Sequence, residues 1–175
     1  FRPEDEGTLI QPSVYYTPSG SIVTGIAGKK DFTVIFIEKS LMNYQIGFVR
    51  KVLSVLEKYN VPVEHIPSGI DTMSVVIESS ALKDGKLELI LQGIKEAVAP
   101  DVLRVNEDIA LIATVGHGMS SSVGTSARLF KAMAEASVNV RMVDQGSSEL
   151  NIIVGVKNED CEKCIRAIYR EFFGN

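Results

Sequence analysis

Apolar residues along this chain fall into short blocks whose spacing switches between the period of a strand and that of a helix. Residues 21–28 (SIVTGIAG) form a β-branched run that predicts a strand, and residues 31–38 (DFTVIFIE) a second, nearly continuous in apolar character. Val49, Val52, Leu53 and Leu56 then stand at i, i+3, i+4 and i+7, one face of a helix that Asn60 and Pro62 end. Two strands follow, residues 61–66 and 73–77, joined by the turn-type stretch PSGID at 67–71. Leu87, Ile90, Leu91, Ile94 and Val98 carry the next helical stripe, which Pro100 stops, and residues 102–105 make a short strand. The order is β-α-β-β-α-β, a ferredoxin-like arrangement within the α+β class.

The pattern then restarts. Residues 108–115 read as a strand, 116–124 (GHGMSSSVG) as a Gly/Ser loop, and a helix runs to about Ala136. Strands at 138–143 and 150–156 flank the turn DQGSSE. A last helix carries Cys161, Cys164, Ile165, Ile168, Tyr169 and Phe172 on one stripe. Residues 31–77 lie over 108–154 at a constant offset of 77 without a gap. The identities Asp31/Asp108, Ile35/Ile112, Met42/Met119, Gly47/Gly124, Val61/Val138, Val63/Val140 and Gly69/Gly146 fall at matching junctions and core positions. This is an internal duplication. The second copy lacks a fourth strand, whereas the first is preceded by one strand too many. The economical arrangement inserts the first module (31–106) into the second (21–28 plus 107–175), with strand 21–28 completing the second sheet rather than leaving an open edge. Residues 1–20, with three of the six prolines and no helical period, read as a linker or arm with a short extended piece at 13–16.

Composition narrows the function classes. A chain of 175 residues with 45% hydrophobic and 23% charged residues can bury a core, which excludes disordered and collagen-like chains. Eighteen basic against twenty-two acidic residues give a net charge of −4 and a pI near 5.3, a poor electrostatic footprint for nucleic acid. No apolar run approaches a membrane span, and no secretion leader is visible. Two cysteines form no disulfide framework, so the cytoplasm is the simplest compartment. The chain opens on Phe1 and a polar, acidic run, which reads as a piece of something longer.

Candidate chemistry is sparse. The loop 116–124 fits neither the dinucleotide nor the phosphate-loop spacing, and a turn whose serines cap a helix is the favoured reading. A small enzyme built on that loop would have only His117 as a nearby base. Cys161 and Cys164 lie on an apolar stripe and read as buried reduced thiols. The histidines and cysteines form no metal-site pattern. The first strand–helix junction, residues 42–49, is more informative. Gly47 permits close approach of a ligand, and free amides at a helix start attract a carboxylate. Glu64 stands on an otherwise apolar strand and Asp71 in the turn that follows. Together these suit a free amino acid, and lysine if both carboxylates face the site. Glu64 as a solvated strand residue and Asp71 as an ordinary turn residue is the plainer alternative. In the second copy Arg141 occupies the position of Glu64 and would repel an ammonium group, so an amino acid is expected only in the first.

Tandem modules with a strand–helix turn of this kind resemble ACT domains, and the pair is similar to the C-terminal regulatory region of aspartate kinases. The stretches FRPEDEGTLI, VTGIAGKKDFTVIFI, NVPVEHIPSGIDTMSVVI and VNVRMVDQGSSELNIIVGV carry the likeness, with Gln145–Glu149 and Asn151 as a family signature. The resemblance implies an intact enzyme that phosphorylates L-aspartate with ATP and magnesium on the way to lysine, threonine and methionine. Its nucleotide-binding Lys-Phe-Gly-Gly-Thr type motif is absent here, so this piece is expected to hold no cofactor and to be inactive alone. The implied effector positions are Met42, Gln45, Gly47, Phe48, Val49, Pro62, Val63 and Glu64, with Ser68 and Asp71. Gln45 stands where relatives often carry Ser, and Pro62 where they carry Ser or Asn. The amides of Phe48 and Val49 would hold the effector carboxylate and Glu64 its α-ammonium, at a homodimer interface between ACT domains. Lysine is the favoured effector and threonine the alternative. No nucleic acid or membrane partner is expected. A stand-alone ACT amino-acid-binding protein, or a separate regulatory subunit, is the rival reading.

Overall fold

Two strands run further than the hydrophobic pattern predicts, and they shape the molecule. The structure, a computed structural model, describes residues 22–174; the expected arm 1–20 and its extended piece lie outside them. In chain order the elements are β1 (Gly25–Glu38), α1 (Phe48–Lys58), β2 (Thr72–Glu78), α2 (Lys86–Val98), β3 (Val102–Val115), α3 (Thr125–Glu135), β4 (Met142–Asp144), β5 (Asn151–Lys157) and α4 (Cys161–Phe173). The expected strands 21–28 and 31–38 are one strand, β1, and 102–105 and 108–115 are likewise one, β3. The intervening polar residues look like turns in sequence. Instead, Asp31 (φ 69°) and Asp108 (φ 57°) absorb the irregularity as left-handed residues within continuous strands. Asp31 is held there from outside the strand. Its amide donates to Asn158 Oδ1 at 3.1 Å, and Asn158 Nδ2 donates back to Asp31 Oδ1 at 2.8 Å. The Asp31/Asp108 identity of the duplication thus marks a shared backbone kink.

The sheet is antiparallel, five-stranded, in the order β2-β1-β3-β5-β4. Each long strand serves two modules. Residues 32–38 of β1 pair with β2 and, from 34 onward, with 102–106 of β3, which builds the first module. Residues 25–29 of β1 pair with 111–115 of β3, whose other edge carries β5, which builds the second. Strand 25–29 therefore supplies the fourth strand of the second sheet, as the insertion topology requires. Each module is an α+β ferredoxin-like unit with two helices on one sheet face.

Side chains alternate across these strands, so each half has two distinct faces. On the helix side Ile35, Ile37, Val75 and Ile77 pack with Phe48, Val52, Leu56, Ile90 and Ile94, and Ala110, Ile112, Ile152 and Val154 with Leu129, Met133, Cys164 and Ile168. The stripe of α1 is turned from its expected face: Phe48, Val52, Val55 and Leu56 are buried, and Val49 is exposed. On the other side Phe32, Val34, Val76 and Ile109 form a third cluster with Leu111 and Met142. This cluster draws residues from both modules, so their helix-free faces turn toward each other. His65 Nε2 lies 3.5 Å from Asp144 Oδ2 across that junction, an ion-pair distance without hydrogen-bond alignment, although the two residues belong to opposite ends of the strand order.

The expected strand 61–66 is not a regular strand. Glu64 N donates to Val76 O and Val76 N to His65 O, both at 2.9 Å, and single bridges join His65 to Val76 and Ser68 to Met73. Pro62 and Pro67 remove backbone donors that a full ladder would use. The constant offset of 77 also fails past the turn. Phe32 pairs with Glu78 and Ile109 with Lys157, so β2 matches β5 at an offset of 79. The second turn is two residues longer, and the Glu64/Arg141 match is unaffected: Arg141 N donates to Gly155 O as Glu64 N does to Val76 O.

Among the described residues no helix is long and apolar enough to cross a membrane. Cys161 and Cys164 are buried free thiols, and desolvation pushes Cys164 up to about 12, which suits packing rather than reactivity. Thr114, fully buried in the second core, has no hydrogen-bond partner for its hydroxyl among the described residues. Replacing it with the isosteric Val removes an unsatisfied polar group and keeps the branched shape. Thr114→Val is expected to stabilise the chain by about 1 kcal/mol, read as a higher urea midpoint; an unchanged or lower midpoint would contradict the assignment.

Candidate effector site

The turn between β1 and α1 is built by two aspartates from other elements. Asp71 O accepts the Lys39 amide at 2.9 Å, and Asp71 Oδ1 accepts the Met42 amide at 3.2 Å. Asp101 accepts the Ser40 amide at 2.7 Å and the Lys39 ammonium at 2.9 Å. Leu41 (φ 59°) then reverses the chain into a short 3-10 turn, Met42–Tyr44. Gly47 (φ 76°) caps α1 in the left-handed region, where a side chain would be strained although a Cβ would have room. Phe48 N donates to Gln45 O at 3.1 Å, and the first intrahelical bond is Lys51 N to Gly47 O at 2.9 Å. The Phe48 amide is therefore engaged within the turn, while those of Val49 and Arg50 have no partner among the described residues.

The predicted residues divide into three groups. Met42 and Phe48 are buried in the first core, with Val63 packed against it. Asp71 is tied to Met42, and Gln45, Gly47 and Val49 line the outside of the turn. Pro62, Glu64 and Ser68 are exposed along the segment that bridges to β2. Glu64 lines a groove of about 240 Å³ with Lys29, Phe32, His65, Leu111 and Ala113. That groove contains none of Met42, Gln45, Gly47, Phe48 or Val49. Within one chain the carboxylate and the helix start do not share a cavity. Near Glu64, Lys29 pairs with Glu78 at 2.8 Å, which lowers the Glu78 carboxyl and raises Lys29.

One feature escaped the sequence reading. Around this turn Leu41, Tyr44, Ile46, Val49 and Ile70 present apolar side chains to solvent, with Tyr44 79% and Ile46 97% exposed. At the matching positions the second module has Gly118, Ser121, Val123 and Ser126 for Leu41, Tyr44, Ile46 and Val49. Comparing the two copies for exposed rather than core positions would have revealed the contrast. The second turn also departs from expectation. Its hydroxyls do not cap α3: Ser120 and Ser121 donate to the carbonyls of His117 and Gly118, and Thr125 to that of Ser122. Gly124 (φ 89°) is the N-cap and makes no side-chain bond.

The Asp101 contacts have a pH signature. The Ser40 amide, and after it Lys39, hold its carboxyl down from 3.8 to about 2. A carboxyl lowered on folding adds stability above its unfolded value, and that contribution is lost as pH falls through the folded one. The stability of the native chain is expected to drop between about pH 4 and pH 2 more steeply than that of Asp101→Asn. Parallel urea midpoints for the two across that range would remove Asp101 from the account of the turn.

Comparison with known proteins places this geometry. The ACT domain family profile matches residues 112–172. Aspartokinase 3 of Bacillus subtilis is 40% identical over 172 residues, covering 98% of this chain and 37% of that protein. Aspartokinase 1, chloroplastic, of Arabidopsis thaliana is 29% identical over 177 residues, covering 99% of this chain and 30% of that one. The chain thus spans about a third of the length of these relatives. Among solved structures, Clostridium acetobutylicum aspartate kinase superposes with a TM-score of 0.91 at 48% identity, over 99% of this chain and 40% of that one. The regulatory subunit of aspartate kinase from Thermus flavus gives 0.73 at 25% identity, over 86% and 98%. Escherichia coli aspartokinase III in complex with lysine and aspartate, at 22% identity and a TM-score of 0.70 over 87% and 34%, shares the fold. The chain therefore carries the ACT-domain fold, matched by the family profile over residues 112–172, and over nearly its whole length it is similar to a segment that makes up about a third of known aspartokinases.

Proposed function

We propose that this region senses a free end-product amino acid, lysine in the first place and threonine as the alternative, and restrains an attached aspartate kinase activity. The observation that carries the reading is the asymmetry between the two strand–helix turns. Only the first combines a left-handed glycine and unpartnered helix-start amides with an apolar rim. Its module also carries a carboxylate, Glu64, where the other has Arg141. The amides of Val49 and Arg50 would bind the effector carboxylate, with that of Phe48 joining only if its bond to Gln45 opens. Glu64 would take the α-ammonium. For lysine, the carboxyl oxygen of Asp71 that does not accept from Met42 would take the second ammonium.

Glu64 and the helix start lie apart in one chain, so a second copy would complete the site. The apolar rim of Leu41, Tyr44, Ile46 and Ile70 and the free outer edge of the 64–68 segment suit pairing with the same surface of another protomer. Effector binding would shift the kinase only through different affinities for its active and inactive arrangements. The aspartate, ATP and magnesium of the reaction would be bound by the catalytic part of the parent enzyme.

Titration calorimetry and thermal shift with lysine, threonine and methionine test the effector. A specific ligand at 100 times its Kd adds about 2.7 kcal/mol of stability. Glu64→Arg is expected to abolish that gain and Arg141→Ala to preserve it. Equal loss from both substitutions, or no stabilisation by any of the three, would defeat the reading. The interface has a separate test. Ile46→Asp is expected to shift the chain toward monomer in sedimentation velocity while Val123→Asp does not. Indifference of the association state to Ile46→Asp would place the interface elsewhere.

A further inference from the structure

Two hollows flank the cluster of Phe32, Val34, Val76 and Ile109, and the duplication relates their linings. The first is the groove of Glu64. The second is larger, about 500 Å³, and is floored by Val34, Phe36, Val105, Ile109 and Met142. The linings correspond through the duplication: Arg141 for Glu64, Met142 for His65, Ile109 for Phe32, Val34 for Leu111 and Phe36 for Ala113. The charges do not correspond. Glu64 becomes Arg141, Glu78 becomes Lys157, and Lys29 becomes Asn106. In the first hollow Lys29 and Glu78 neutralise each other at 2.8 Å. In the second, Arg141 has no side-chain partner among the described residues, and Lys157 reaches only Glu159, at 3.1 Å and well exposed. Among the described residues Glu107 is the one acidic residue of its lining, against the two cations Arg141 and Lys157.

We propose that this second hollow binds a small organic carboxylate with an apolar body. The body would lie on Phe36, Val105 and Met142, and the carboxylate would be held by Arg141 with Lys157 beside it. A volume of about 500 Å³ is that of an ordinary small-molecule site. A carboxylate would give Arg141, exposed and with no other side-chain partner among the described residues, a charge-assisted hydrogen bond beside that apolar floor. An anion also neutralises the net positive lining, whereas a cation adds to it. The site is separate from the strand–helix turn, so it stands whether or not that turn binds an amino acid.

The test is an NMR titration of the whole ¹⁵N-labelled chain with 3-phenylpropanoate, and with 3-phenylpropanamide as the uncharged match. Saturable shifts are expected at the amides of Phe36, Val105 and Met142, with the amide compound binding about tenfold more weakly or worse, the loss of one charged hydrogen bond. Arg141→Ala is expected to weaken the carboxylate to the same degree, and Glu64→Ala to leave it unchanged. Arg141→Gln serves as a second variant if the spectrum of Arg141→Ala loses its dispersion. Equal affinity for the two compounds overturns the proposal. So do undiminished binding by a folded Arg141 variant, unsaturable shifts, and shifts centred on residues 42–49.

Discussion

The backbone pairing of β1 with β3 is the constraint on which the rest of the molecule depends. Both strands are fourteen residues long, and each contributes one half to each module. Neither module can close its sheet without a segment that continues directly into the other. The modules therefore cannot separate by bending a linker, because the connection is a hydrogen-bonded ladder rather than a loop. Asp31 and Asp108, both left-handed, turn the ladder at its middle and bring the two helix-free faces together. On the opposite, helix-covered face the packing is close at Gly28, where a Cβ would stand 2.6 Å from Ile165 Cδ1 and 3.3 Å from Cys161 Sγ on α4. That shared ladder offers a mechanical route between the modules, since a change at the edge of one sheet acts on strands belonging to both.

Duplication followed by divergence explains how such a symmetric scaffold can carry unlike surfaces. Some core positions of the two copies remain alike: Ile35 and Ile112 are both fully buried beneath their helices. Surface positions have changed freely because no packing restrains them. The first turn presents an apolar rim, whereas the second has serines that bond their own backbone. The paired hollows diverged in charge, with Glu64 and Arg141 at equivalent points of the same backbone geometry. A single fold thereby presents two chemically opposite recesses.

The organisation into two modules and the insertion of one in the other were legible in the sequence. Hydrophobic periodicity and the offset of 77 are local, repeated signals that no tertiary contact needs to supply. The candidate site was legible in part. Gly47, singled out in the sequence as a point where a ligand could approach closely, is the left-handed cap of α1, φ 76°. The engagement of the Phe48 amide by Gln45 was not visible, because a carbonyl three residues back is indistinguishable from any other in a sequence. The separation of Glu64 from the helix start was hidden for a related reason. Spacing gives the face of a strand on which a side chain stands, but not which module that face meets.

Sequence alone therefore determined the helices, the order of the elements and the duplicated plan, because alternation and helical stripes are imposed by burial within short segments. Tertiary structure decided what lay between those segments. It fused four expected strands into two, because pairing on both sides of the kinks at Asp31 and Asp108 carries each strand through polar residues that in isolation favour turns. It broke the constant offset, since a two-residue insertion in a turn costs little and leaves no hydrophobic trace. It also set Arg141 over an apolar floor from the other module, a neighbourhood created by long-range packing and written nowhere in the residues adjacent to it.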